Sequence, residues 1–136
     1  LGDSVAPLDL KTVSSNVFTA PEIATVGVSQ ADIESGKVRA LVMRLPLRSN
    51  PRAKMQALGY GFVKVICLPV TGIVIGGVVV APSASELIHP LSIAVRHKLT
   101  VDQLAESFTV YPSLSGSLAE AARRLHGHSS EQVITY

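Results

Sequence analysis

The 136 residues suffice for one domain with a real core and are too few for two comfortable ones, and a hydrophobic content of 47% excludes a disordered tail. Twelve Lys and Arg against ten Asp and Glu leave a net charge of +2, which argues against a protein dominated by nucleic-acid affinity. The one basic run, Lys37, Arg39, Arg44, Arg48, Arg52 and Lys54, contains no acid and no interleaved aromatic, so it reads as a solvated strand edge and loop.

The chain opens on Leu1-Gly2, a pair that reads like the C-cap of an earlier helix, as expected of a piece cut from something longer. The first ten residues, LGDSVAPLDL, have neither the basic start nor the apolar run of a signal peptide. Residues 1–15, with Pro7 and Ser14-Ser15, read as a linker. Two extended pieces follow, 16–19 and 23–28, split by Pro21. Ser29 and Asp32 have capping-box spacing, and Gly36 closes the short helix they begin. Residues 37–47 read as a strand ended by Pro46 and Pro51. The clearest signal is YGFVKVICLP followed by IVIGGVVV, two β-rich runs joined through Val70-Thr71-Gly72 as a hairpin. Lys64 gives the first run one face toward solvent or an interface. Gly76-Gly77 predicts a bulge or a close backbone approach.

The period then changes. Ser83 and Glu86 have capping-box spacing, and Leu87, Ile88, Leu91 and Val95 make one helical face, which Pro90 kinks or delays. Thr100 and Gln103 begin another short helix. Leu114, Leu118, Ala121, Ala122 and Leu125 line a final one, with Arg123 and Arg124 at its negative end and Gly127 to stop it. Strands come first and helices mostly after. The expected fold is therefore α+β, an antiparallel sheet with helices packed on one face. The longest apolar stretch, GIVIGGVVVAP, is too short to span a bilayer.

Chemistry is sparse. No glycine cluster has the strand-to-helix spacing of a phosphate cradle. Cys67 is the single cysteine, a small core residue rather than a nucleophile, and points to a reducing, cytoplasmic setting. His126-Gly127-His128 offers two imidazoles, which leave a metal incompletely coordinated. His89 and His97 read as surface residues, and Ser115 has no activating histidine near it in sequence. By its own residues the chain is not an enzyme.

Three stretches, VFTAPEIATVG (17–27), GFVKVICLPVTGIVIGGVVVAPSASELI (61–88) and LTVDQLAESFTVYPSLSGSLAEAA (99–122), together resemble the C-terminal dimerisation domain of the pyridine nucleotide–disulfide oxidoreductases. The resemblance implies an interface domain over 16–127 and a tail over 128–136. Residues 1–15 would then link it to a preceding FAD-binding domain, in a homodimer using FAD and NAD(P)H. The family pattern at the last helix is His-Pro-Thr-x-x-Glu, in which the imidazole moves protons for a dithiol and the glutamate orients it. Here Tyr111 and Gly116 stand at the His and Glu positions, while Pro112 and the hydroxyl of Ser113 match. A phenol, with an ordinary pKa of about 10, is a poor proton shuttle for thiolates at neutral pH. Mercuric reductases resemble a Tyr version, but keep the acid and end in a cysteine pair, whereas this chain ends SSEQVITY. The resemblance thus implies a quinone reductase rather than a disulfide reductase, with Tyr111 and Pro112 beside the flavin of the partner subunit. The alternative is a purely structural self-association module of a dihydrolipoamide dehydrogenase-like protein. Ser113 is expected to be a helix N-cap.

Overall fold

A computed structural model describes Gly2 and residues 5–126. Five strands form one antiparallel sheet in the order β1-β2-β5-β4-β3. They are β1 (Ser15–Val17), β2 (Glu22–Gly27), β3 (Leu41–Pro46), β4 (Phe62–Cys67) and β5 (Val74–Ala81). The expected hairpin is its centre: β4 pairs with β5 from Phe62↔Val80 to Cys67↔Val74, and both strands are rich in β-branched residues suited to a half-buried pleat. The register slips between Ile66 and Cys67, opposite the stretch that holds Gly76. Both readings of Gly76-Gly77 therefore apply. A Cβ on Gly76 would lie 2.7 Å from the Val28 carbonyl oxygen, and one on Gly77 would collide with the Leu91 side chain.

Alternation along the strands gives the sheet two faces. Val63, Val65 and Val79 point into the core with Leu91 of α4 (His89–Arg96) and Leu118 and Leu125 of α6 (Gly116–His126). The longer helices thus cover one face, as the period change implied. The shorter α-helices among the described residues are α1 (Gln30–Glu34), α2 (Pro51–Met55), α3 (Ala84–Leu87) and α5 (Val101–Glu106), beside 3-10 turns at Leu10–Thr12 and Leu47–Ser49. On the opposite face Lys64 donates to Gln30 of α1 at 3.1 Å, and Arg44 stacks on Phe62 at 4.1 Å. No helix among the described residues is long and apolar enough to cross a membrane.

Several local expectations need correction. The first two strands run Ser15–Val17 and Glu22–Gly27 rather than 16–19 and 23–28, as the pairings Ser15↔Thr25 and Glu22↔Ala81 set, so Ser15 belongs to the sheet and not to a linker. The third strand begins at Leu41, not at 37, because the turn after α1 runs on: Lys37 and Val38 both donate to the Asp32 carbonyl. Pro51 does not end a strand but opens α2, where its missing N–H costs nothing. Ser83 forms no capping box. It adopts the left-handed conformation (φ 57°) and makes no side-chain cap bond. The capping boxes at Ser29–Asp32 and Thr100–Gln103 form as read. Gly127, His128 and the tail lie outside the described residues.

Candidate functional site: the corner before the last helix

The segment leading into α6 is built by polar contacts around one proline. The Tyr111–Pro112 peptide is cis, and the Tyr111 side chain is 82% exposed. Ser113 acts as the expected cap: its Oγ accepts the Gly116 N–H at 3.2 Å and lies 3.0 Å from Ser115 Oγ. The returning half of a capping box is missing because residue 116 has no side chain. Space for one exists. A Cβ on Gly116 would have as nearest neighbours Ser113 Oγ at 3.6 Å and Thr109 Oγ1 at 3.7 Å, ordinary contact distances. Phe108 and Val110, on the approach to the corner, are exposed as well.

Beside the corner lies an open cleft of about 300 Å³. Ser49, Asn50 and Pro51 border it on one side, and Tyr111, Pro112 and Gly116 on the other, with Glu120, Arg123 and Arg124 further along α6. Glu120 accepts from Arg124 at 3.0 Å and from Arg123 at 2.8 Å, and the Arg124 bond first, then the Arg123 one, hold its carboxyl below the ordinary range. The structure thus gathers Tyr111, Pro112, Ser113 and Gly116 at one cleft.

Asn50 is the residue that sequence reasoning missed. It is 9% exposed and uses both ends of its amide. Its Oδ1 caps α2, accepting the N–H of Arg52 at 2.8 Å and of Ala53 at 3.3 Å. Its Nδ2 donates to the Ser113 carbonyl at 2.9 Å and to Ser117 Oγ at 2.7 Å. Asn directly before Pro was the available signal, an N-cap followed by a favoured first helical residue.

The remaining candidates lie elsewhere. Cys67 is buried, and burial first, then the Asp102 carboxylate, pushes its thiol up to about 11. It is a packing residue. His126 Nδ1 sits 2.5 Å from Asp102 Oδ1, joining α6 to α5. His89 and His97 are exposed, and no group of three metal-ligating side chains gathers among the described residues. Of the basic run, five members are exposed and Arg52 is half-buried.

Comparison with known proteins gives this geometry a setting. The family model for the pyridine nucleotide-disulphide oxidoreductase dimerisation domain matches residues 13–122. The chain is 58% identical over 128 residues to a protein of Mycobacterium tuberculosis named NAD(P)H dehydrogenase (quinone), covering 94% of this chain and 26% of that protein. It is 36% identical over 128 residues to the dihydrolipoyl dehydrogenase of Haloferax volcanii, covering 94% of this chain and 27% of that one. The crystal structure of LpdA from Mycobacterium tuberculosis superposes with a TM-score of 0.88 at 58% identity, over 90% of this chain and 27% of that chain. The chain therefore spans about a quarter of the length of these relatives. With residues 13–122 matched in order and five strands and their helices in place, the chain belongs to the pyridine nucleotide-disulphide oxidoreductase family, as its dimerisation domain.

Proposed function

We propose that this chain is the C-terminal part of an FAD-dependent NAD(P)H oxidoreductase that reduces a quinone-type acceptor rather than a disulfide. The residues ahead of β1 link it to the nucleotide-binding domains, and two copies pair so that each contact is made twice. Tyr111 and Pro112 then border the flavin held by the partner. The observation that carries this reading is a helix launch intact in its backbone and emptied of proton-transfer groups. Ser113 still caps α6, while a phenol and a glycine stand where sulfur chemistry needs an imidazole and a carboxylate. The printed name of the 58% identical relative supports the acceptor class.

The residues present fit a flat aromatic group at this place. The cleft is open, Gly116 leaves its wall bare, and the exposed Tyr111 ring stands at the mouth. FAD and NAD(P)H, bound mainly by domains outside this chain, supply the hydride and electron chemistry. The chain's own part is to shape the acceptor pocket. The Tyr111 hydroxyl donates a hydrogen bond to a quinone oxygen, Pro112 offers an apolar face without an N–H, and Gly116, lacking a side chain, adds no bulk to the cleft wall. Cys67, buried with a raised thiol, takes no part, in keeping with a cytoplasmic enzyme.

Steady-state assays of the full-length flavoprotein test the reading. Rapid NAD(P)H oxidation by a naphthoquinone with negligible lipoamide or glutathione disulfide turnover is expected. The reverse pattern overturns it and favours the second reading, a self-association module of a lipoamide dehydrogenase-like protein, to which the 36% identical relative lends its name. Tyr111→Phe is expected to raise KM for the quinone. Unchanged kinetics would remove the phenol from the pocket.

A further inference from the structure

We infer that Asn50 is a positioning residue for the acceptor site, acting through the Ser113 carbonyl to fix the Tyr111-Pro112 corner. The inference rests on the reading above that this corner borders flavin and acceptor. It goes beyond that reading by assigning a role to a residue 61 positions away in sequence, on a different helix.

The choice of residue carries the argument. An N-cap for α2 needs only a side-chain oxygen, and Ser, Thr or Asp supplies one as well as Asn does. Only the amide also presents donors from its other end at the same reach. Both ends are used here: Oδ1 takes two backbone N–H groups of α2, and Nδ2 donates to the Ser113 carbonyl and the Ser117 hydroxyl. The orientation of the amide is fixed by these partners, since flipping it would set Nδ2 against N–H donors and Oδ1 against a carbonyl. Ser117 itself is buried, so the bond to it is shielded from water.

The geometry links this side chain to the corner. Ser113 is gripped from two sides, its carbonyl by Asn50 and its hydroxyl by Gly116 N–H. The Pro112 ring and the exposed Tyr111 side chain hang from that point. Without the grip on the carbonyl, the corner keeps the cap of its own helix and the packing of Leu114 on the core, but loses its one hydrogen bond to α2's N-cap. A displacement of about 1 Å at a reacting site can lower turnover on the order of 100-fold, so modest loosening is enough to register.

Asn50→Asp separates the two roles, because aspartate caps α2 equally well but sets an acceptor oxygen against the Ser113 carbonyl. In the full-length flavoenzyme, kcat for a naphthoquinone is expected to fall about 10-fold or more, with KM for NAD(P)H unchanged. Hydrogen exchange at the bonded amides of Gly116 and Ser117 should quicken about 10-fold while those of 52–54 keep their protection. Unchanged kcat and exchange overturn the inference, as does equal loss of protection in both segments, which would make Asn50 a general structural residue. If that variant gives no folded flavoprotein, Asn50→Ser keeps an oxygen to cap α2 and removes the amide donor from the Ser113 carbonyl without adding a charge. It should lower kcat about two- to fivefold and quicken exchange at Gly116, and no change in either is a refutation. Should the enzyme prefer a disulfide, the acceptor assignment fails, while the exchange contrast and the kcat for that disulfide still decide the role of Asn50.

Discussion

Two serines begin helices in this chain under opposite circumstances. Ser83 has a glutamate three residues on, the spacing of a capping box, yet it turns left-handed and caps nothing. Ser113 has a glycine three residues on, half the motif gone, yet its hydroxyl takes the first free N–H of α6. The difference lies in what the rest of the fold brings to each place. At α3 a carboxylate arrives from another element: Glu22 of β2 accepts the Ser85 N–H at 3.0 Å, so the serine hydroxyl is not needed. At α6 the neighbouring peptide is held by Asn50, which keeps Ser113 where its hydroxyl can reach. Where no distant group intervenes, at Ser29–Asp32 and Thr100–Gln103, spacing and outcome agree.

Substitutions can break this contrast, and the largest effect belongs to Asn50. Asn50→Ala removes the α2 cap and strips the donors from Ser113 and Ser117, and should destabilise the fold by roughly 2–4 kcal/mol in urea unfolding. A loss under about 0.5 kcal/mol would mean that water replaces the amide and that α6 caps itself. Ser113→Ala is next, at about 1 kcal/mol, the usual worth of an N-cap. Ser83→Gly should have the opposite sign, raising stability by about 0.5–1 kcal/mol, because glycine relieves a left-handed backbone where no cap bond is lost. A destabilised Ser83→Gly protein would restore the capping role that the spacing implied. Gly116→Glu should also stabilise, by about 0.5–1 kcal/mol, since the position has room and gains both helix propensity and the returning half of the box.

The smallest effect is on acid stability. Glu22 is held below the ordinary carboxylate range first by the Ser85 N–H, and Asp32 by the Ser29 hydroxyl and N–H. A group depressed in the folded state stabilises above its unfolded value and loses that contribution as pH falls through its folded value. Thermal stability should therefore drop below pH about 4, and Glu22→Gln should flatten that drop. An unaltered acid limb in this variant would remove Glu22 from the cap of α3.

What could be read along the chain was whatever depends on near neighbours. The hairpin over 62–81 was legible because two β-branched runs meet at a glycine-containing turn. The corner was legible because Tyr111, Pro112 and Gly116 fall within one stretch of six residues. The Asn50 bond to Ser113 was not, since no local pattern tells which distant carbonyl a buried amide will find. Helix α2 is hard to see for a different reason: a proline taken alone signals a stop, and Pro51 signals a start only because an asparagine precedes it. The stripe from Leu114 to Leu125 was correct as a packing surface, although α6 begins two residues after Leu114, which packs on the core from the turn before it.

The hidden cysteine has a practical consequence. Cys67 is the last residue of β4, between β5 and β3, 1% exposed, with its thiol pushed up to about 11, so alkylating reagents meet almost no thiolate while the strand is in place. Its modification rate is then a clock for opening of the central sheet, readable by mass alone. Any cysteine introduced on the surface of this chain can carry a label without competition from within.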